Sequence, residues 1–381
     1  MRIGIITQPL KTNYGGLLQN YALQQVLRKF GHEVYTINRT YPRDIYTSPA
    51  TKQIKFLAKQ TIKKFLGKTF SPTKKDISRI TEKCRRFVEE NITVTNKVKT
   101  QKEISETTAQ YCFDAFVVGS DQVWRPMYSP NILNDYLDFC REQPNIKRIA
   151  YAASFGVDNW EYTDAQTTEC SRLAKLFNAI SVREDSGIEL CQKHLGVDAT
   201  LVLDPTLLLE KEEYIELTQK AGEKRSEGDL FCYILDENDA IKESIHNIEK
   251  QLTLKSFQVK SLKAPYSLKI GDSINEHIIP SPTKWLRAFM DAKMVFTDSF
   301  HGCVFSIIFN KPFWVIGNKE RGNARFSSLL KLFNLEDRLI SLDSIEKKNL
   351  LTPIDWEKIN AIKKEWQKTS VSFIKENLET I

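Results

Sequence analysis

A histidine just beyond an apolar run is the first candidate for chemistry. Thr297-Asp298-Ser299-Phe300-His301-Gly302 joins the expected strand Met294–Thr297 to a short helix expected over Cys303–Phe309. At such a junction, backbone N–H groups and the positive end of the helix dipole face the loop and accept a phosphate or carboxylate. His301 placed there can protonate a substrate or hold its phosphate. The alternative is that Asp298 or Ser299 caps the helix and His301 fills a surface groove. Arg183 follows the strand Ala179–Val182, and a guanidinium at a strand's carboxyl end can bind a carboxylate or phosphate through two hydrogen bonds. An ion pair with Glu184, Asp185 or a neighbouring helix explains it as well. Arg321-Gly322-Asn323-Ala324-Arg325 suits a clamp on an anion, or is a solvated loop with two surface arginines. Other chemistries lack their signatures. There is no GxGxxG after a strand, no GxxxxGK[ST] phosphate loop, no HExxH and no GxSxG. No His/Cys cluster points to a metal, so none is expected.

The elements that must position these residues read as alternating strands and helices. Arg2–Thr7 is a strand, and Leu17, Leu18, Tyr21, Ala22, Val26 and Leu27 recur at helical spacing before Gly31. Glu33–Ile37 completes a βαβ opening, the usual start of a parallel sheet covered by helices. Buried strands return at Phe113–Val118, Arg148–Ala153, Ala179–Val182 and Thr200–Leu203. The ligand crevice of an open α/β sheet lies outside the carboxyl ends of its strands. That rule singles out Gly119–Gln122, Ser154–Gly156, Arg183–Asp185 and Asp204-Pro205. A second unit follows, with strands at Leu230–Leu235, Ser256–Val259, Met294–Thr297 and Phe313–Ile316, and helices at Ala240–Leu252 and Pro282–Ala292. A polar helix, Asp355–Asn377, ends the chain. The expectation is two doubly wound, Rossmann-like α/β domains with a cleft between them: residues 1–205 and 206–350, followed by a helix over 351–381. An insertion at 51–92 interrupts the first, with a helix around Ile77–Asn91. Its Thr51–Lys75 part carries eight lysines and no acid. With Ile54, Leu57, Ile62, Phe65 and Leu66 on one face, it suits either an interfacial helix on an anionic membrane or an ordinary amphipathic helix packed on the sheet.

Composition sets the frame. The 381 residues are 41% hydrophobic and 27% charged, with a formal net charge of +7, as expected of a soluble protein with sizeable cores and anionic partners. The basic residues do not interleave with aromatics in a nucleic-acid module. The apolar run at the N-terminus is too short for a signal peptide, and no apolar stretch reaches the roughly 18 residues of a membrane span. The seven cysteines are scattered, with no CxxC pair, which indicates reduced cytosolic usage as small core residues. A cytoplasmic protein, with a peripheral site at the inner face of the membrane as one option, is the expectation.

Taken together, several segments resemble the polysaccharide pyruvyl transferase family. They are Asn13-Tyr14-Gly15-Gly16 with Gln19 and Tyr21-Ala22-Leu23, Val117–Trp124, Ala152–Gly156, Ser181–Glu184, Asp204-Pro205-Thr206, Thr297–Gly302 and the Glu320–Phe326 loop. The resemblance implies a GT-B-like arrangement, phosphoenolpyruvate as co-substrate with no further cofactor, and a pyruvate ketal formed on a sugar or lipid-linked saccharide in cell-surface polysaccharide biosynthesis. On that reading the donor is held by Arg183, Ser299, His301, Gly302, Arg321 and Arg325, and His301 supplies the proton. Some members carry an arginine two positions before the histidine, where this chain has Ser299; Arg321 or Arg325 is the candidate replacement. Asn13, Tyr14, Gly15, Gly16 and Asp121 are the acceptor-side candidates. Asp121 either deprotonates the acceptor or holds the Gly119–Trp124 turn. The rivals are a GT-B glycosyltransferase with a nucleotide-sugar donor and a non-catalytic saccharide-binding relative.

Overall fold

The computed structural model describes residues 1–40, 59–60, 63, 66–129, 131–317 and 323–379. Arg321 and about half of Thr51–Lys75, including Ile54, Leu57, Ile62 and Phe65, lie outside them. The first sheet has six parallel strands: β1 (Arg2–Ile6), β2 (Glu33–Thr36), β3 (Ala115–Val118), β4 (Lys147–Ala153), β5 (Ala179–Val182) and β6 (Thr200–Leu201), in the order β2-β1-β3-β4-β5-β6. The second has five: β7 (Leu230–Tyr233), β8 (Ser256–Phe257), β9 (Met294–Thr297), β10 (Phe313–Ile316) and β11 (Leu339–Ile340), in the order β11-β10-β9-β7-β8. All paired neighbours in both sheets run parallel. The central strands β3, β9 and β10 are buried at every residue, as unbroken apolar runs in a sheet covered on both faces should be.

The halves are joined in two ways. Helix Tyr14–Lys29 of the first half meets helix Pro282–Asp291 of the second, where the Tyr14 and Trp285 rings lie 5.7 Å apart. Tyr14 Oη also donates to the Pro280 carbonyl at 3.0 Å. One apolar cluster runs through this seam, from Ile3 and Leu18 to Phe289 and Phe305. The last helix, Trp356–Glu379, returns to the first half: Lys147 Nζ donates to the Leu378 carbonyl and the Leu203 amide to Ser370 Oγ. Six of the seven cysteines are buried and none is bonded to another.

Several boundaries differ from expectation for local reasons. The helix expected from Cys303 begins at Phe300, because Ser299 Oγ accepts the Gly302 N–H and caps it three residues earlier. Helix Ile77–Asn91 is two helices, Lys74–Ile80 and Glu82–Asn91, broken at Thr81, which caps the first and precedes the second. The loop expected around Arg325 is the first turn of a helix, Ala324–Phe333. Strands β6, β7 and β8 are each two residues shorter than their apolar runs, which continue into loops at the ends of the sheets.

Candidate active site in the inter-domain cleft

The parallel strands of both sheets end at one cleft. It holds a cavity of about 470 Å³ walled by Gln8–Asn13 residues after β1, Asp121 and Gln122 after β3, Asp298–His301 after β9, and Arg325 with Phe326. Two helix N-termini reach its neighbourhood, one from each half. Asn13 caps the helix Tyr14–Lys29 by accepting the Gly16 N–H at 3.2 Å, and Ser299 does the same for Phe300–Ile308. Their unsatisfied N–H groups bias the site toward anions.

His301 sits in the first turn of Phe300–Ile308, 93% buried, with Nε2 3.6 Å from Asp204 Oδ2. A Cβ on Gly15 would collide with its imidazole, so only glycine lets the first half pack against it. Gly302 plays a similar part within its own half, since a Cβ there would strike Thr297. Asp204 is fully enclosed. Its Oδ1 accepts from Thr206 N (3.0 Å) and Oγ1 (2.7 Å); its Oδ2 accepts from Arg183 Nη1 (2.8 Å) and Ser120 Oγ (3.2 Å). Burial alone would raise the Asp204 pKa, but His301, Arg183 and Thr206 hold it well below the usual carboxylate range. It stays ionised beside His301, whose buried Nε2 makes no hydrogen bond among the described residues.

Arg183 does not line the cavity. Its guanidinium lies beneath it, within 4 Å of three carboxylates: Asp204 (2.8 Å), Asp121 (3.5 Å) and Glu184 (3.8 Å). Burial lowers its pKa, and the three carboxylates more than restore it. The Glu184 carboxyl, itself raised by burial, accepts the Phe155 and Gly156 amides. The ion-pair reading of Arg183 therefore describes its present partners, with Asp204 rather than Asp185 as the closest. Arg325 differs. It lines the cavity, is 92% buried, and among the described residues has no carboxylate partner; its Nε is buried without any hydrogen bond. Burial, then the like charge of Arg183, pull its pKa down to about 10. An unpaired buried cation facing a cavity is a place for an anion.

On the opposite wall Asp121 adopts a left-handed conformation (φ 60°), which Asp tolerates better than most residues. Its Oδ1 accepts the Gln122 N–H at 2.9 Å, and its Oδ2 lies 3.4 Å from Asn13 Nδ2. Both roles foreseen for it are thus sterically open: it holds the turn and it faces the cavity. Asn13 also lines the cavity, whereas Tyr14 turns into the seam and lines a second cavity with Tyr233. Gly16 approaches Asp121 closely. Asp298 is engaged elsewhere, accepting the Leu235 and Asp236 amides at 2.7 and 2.9 Å.

The strand-end rule singled out Asp204 but gave it no role, and Lys11 was passed over. Lys11 lines the cavity from a loop with no periodic signal. Among the described residues, no three of His, Cys, Asp and Glu gather as a metal site would require.

The model of the family described as "Polysaccharide pyruvyl transferase" matches residues 13–320. No curated protein matches in sequence. Among solved structures, UDP-GlcNAc 2-epimerase from Methanocaldococcus jannaschii superposes with a TM-score of 0.52 at 11% identity, over 98% of this chain and 99% of that one. The enzyme from Neisseria meningitidis gives 0.50 at 11% identity, over 99% of each chain. Spinosyn forosaminyltransferase gives 0.51 at 10% identity, over 99% of this chain and 98% of its own. At such identities the likeness shows the fold, which is GT-B.

Proposed function

The chain belongs to the polysaccharide pyruvyl transferase family, and from that premise we propose that it transfers the pyruvyl group of phosphoenolpyruvate to two hydroxyls of a sugar, forming a ketal in cell-surface polysaccharide biosynthesis. The observation that carries this reading is the pairing, in one cavity, of an unpartnered buried Arg325 with a His301 backed by ionised Asp204. Phosphoenolpyruvate carries a phosphate and a carboxylate. Arg325 and the N–H groups at the start of Phe300–Ile308 supply charge for them without a metal. Ser299 leaves room beside the helix end where some relatives place an arginine, and Arg325 fills that electrostatic role from the next helix.

In the proposed reaction, His301 protonates the methylene carbon, which becomes the methyl group, and positive charge develops at C2. An acceptor hydroxyl adds to C2 as Asp121 takes its proton. The C2–phosphate bond then breaks, and the second hydroxyl closes the ketal while its proton leaves with the departing phosphate. Each turnover consumes one phosphoenolpyruvate and one diol and yields one ketal and one phosphate, and the proton gained by Asp121 is released to solvent while His301 takes one up, which resets both. Asp204 acts as a positioning residue, its carboxylate facing His301 Nε2 at 3.6 Å. Arg183 lies one layer deeper, balancing Asp204, Asp121 and Glu184, and supports the donor site through them.

A nucleotide-sugar glycosyltransferase is the second reading. It is favoured by the aromatic-walled cavity of about 660 Å³ at the ends of β7 and β8, lined by Tyr14, Tyr233 and Tyr266. Thermal stabilisation separates the two. Phosphoenolpyruvate should raise the melting temperature and nucleotide sugars should not, and phosphate should be released only when an acceptor is present. Stabilisation by a nucleotide sugar alone would replace the first reading with the second.

A further inference from the structure

The exposed apolar side chains of this protein are unevenly distributed. Of the ten large hydrophobic residues exposed among the described ones, four belong to two short segments: Leu66 (60% exposed) in one, Leu262 (85%), Tyr266 (49%) and Ile270 (60%) in the other. These segments come from different halves of the chain and are stitched together. The Phe70 amide donates to the Leu268 carbonyl and the Leu268 amide to the Phe70 carbonyl, both at 2.9 Å. The result is a single lip that carries apolar side chains outward on both sides of an antiparallel bridge.

The lip is also basic. Between positions 59 and 75 the described residues include Lys59, Lys63, Lys68, Lys74 and Lys75 and no carboxylate. Lys269 stands between Leu268 and Ile270. Among the described residues no ammonium group of Lys59, Lys63, Lys68 or Lys269 has a carboxylate partner, although the Lys269 backbone N–H donates to Asp272. The carboxylates of the neighbouring loop are already committed. Asp272 and Glu276 both bind Lys263, and Glu237 binds Lys260. Isolated exposed leucines need no explanation, but clustered ones rimmed by free lysines fit a surface that is itself apolar inside and anionic outside.

Position adds a third observation. Tyr266 of the lip lines the second cavity, and Thr12 and Leu235 line both that cavity and the cleft. The lip thus borders the second cavity, which shares part of its lining with the cleft that holds His301. We propose that this lip is a membrane-docking surface, which seats Leu66, Leu262, Tyr266 and Ile270 among the headgroups of an anionic bilayer while its lysines pair with lipid phosphates. A saccharide tethered to lipid would enter the cleft along the second cavity. That delivery role rests on the function proposed above; the attachment itself does not.

Co-sedimentation of the full chain with phosphatidylcholine vesicles, with and without 30% phosphatidylglycerol, tests the attachment without any turnover. The protein should pellet with the anionic vesicles only and be released by 0.5 M salt. Leu262→Asp with Ile270→Asp should weaken recovery about tenfold or more. Lys68→Gln and Lys269→Gln should each weaken it about fivefold. All three variants should melt as the parent does, because the residues are exposed and belong to no core cluster. Failure to pellet with anionic vesicles, or equal recovery with both kinds, would overturn the proposal. So would a dimer in solution that Leu262→Asp dissociates, since that would give the lip to a second copy of the chain.

Discussion

Arg183 and Arg325 offer a controlled comparison. Both are arginines at the cleft, both are more than nine-tenths buried, and both lie over the same Phe300 ring, at 4.6 and 5.8 Å. Arg183, in the floor, is enclosed by three carboxylates. Arg325, in the wall, has none among the described residues. The floor is an electrostatically closed unit, whereas among the described residues the wall's cation has no carboxylate to balance it. Residue type and burial are shared; what separates support from binding is whether the fold has already spent the charge.

The sharpest test is the wall's histidine. His301→Ala should lose about 10²–10⁴-fold in kcat while melting within a degree or two of the parent. Near-parental turnover in a folded variant would remove His301 from the chemistry. Next comes the floor. Arg183→Met strands three buried carboxylates and should cost about 3–5 kcal/mol of stability in a denaturant titration. If that variant stays as stable as the parent but loses donor affinity, Arg183 binds donor directly and the contrast with Arg325 fails. Arg325→Gln should do the reverse. Relieving an unpaired buried cation should leave stability unchanged or raised, while phosphoenolpyruvate affinity falls about 10–100-fold, the loss of a charge-assisted contact.

A pH series probes the junction of floor and wall. The folded-state pKa of Asp204 is depressed, so its stabilising contribution is full above its unfolded value of about 4 and is lost as pH falls toward the lower folded value. The stability gap between the parent and Asp204→Asn should therefore be on the order of 2–3 kcal/mol at neutral pH and close under acid. A gap that does not change with pH would mean the carboxylate is not held ionised. The smallest effect belongs to the helix cap: Ser299→Ala should cost about 1 kcal/mol, read as a modest drop in denaturation midpoint. A drop several times larger would give Ser299 more than a capping role.

Much of this arrangement was legible in the sequence. Each central strand is an unbroken apolar run, so its type and parallel setting follow from burial on both faces. His301, Asp121 and Asn13 were found because they sit where such runs stop. Arg183 satisfied the same rule, but partner choice depends on β3, β5 and the Asp204 loop meeting in space, which spacing along the chain does not encode. The early start of the Phe300 helix was hidden because one hydroxyl decides it, and hydroxyl caps leave little periodic trace. The lip was hidden for a different reason: its two segments are nearly two hundred positions apart, and only their bridge makes scattered leucines into a surface.

The close approach of Gly15 to His301 bears on how such a protein can change over generations. The two residues come from opposite halves, yet neither tolerates much alteration in the other's backbone. Recombination at the domain boundary would pair a glycine turn shaped for one histidine with a partner shaped for another. A chimera joining residues 1–205 to the second half of a relative should fold, because each sheet has its own strands, and still be inactive until its seam is re-matched. Heredity should therefore treat this seam, rather than either domain, as the unit that moves intact.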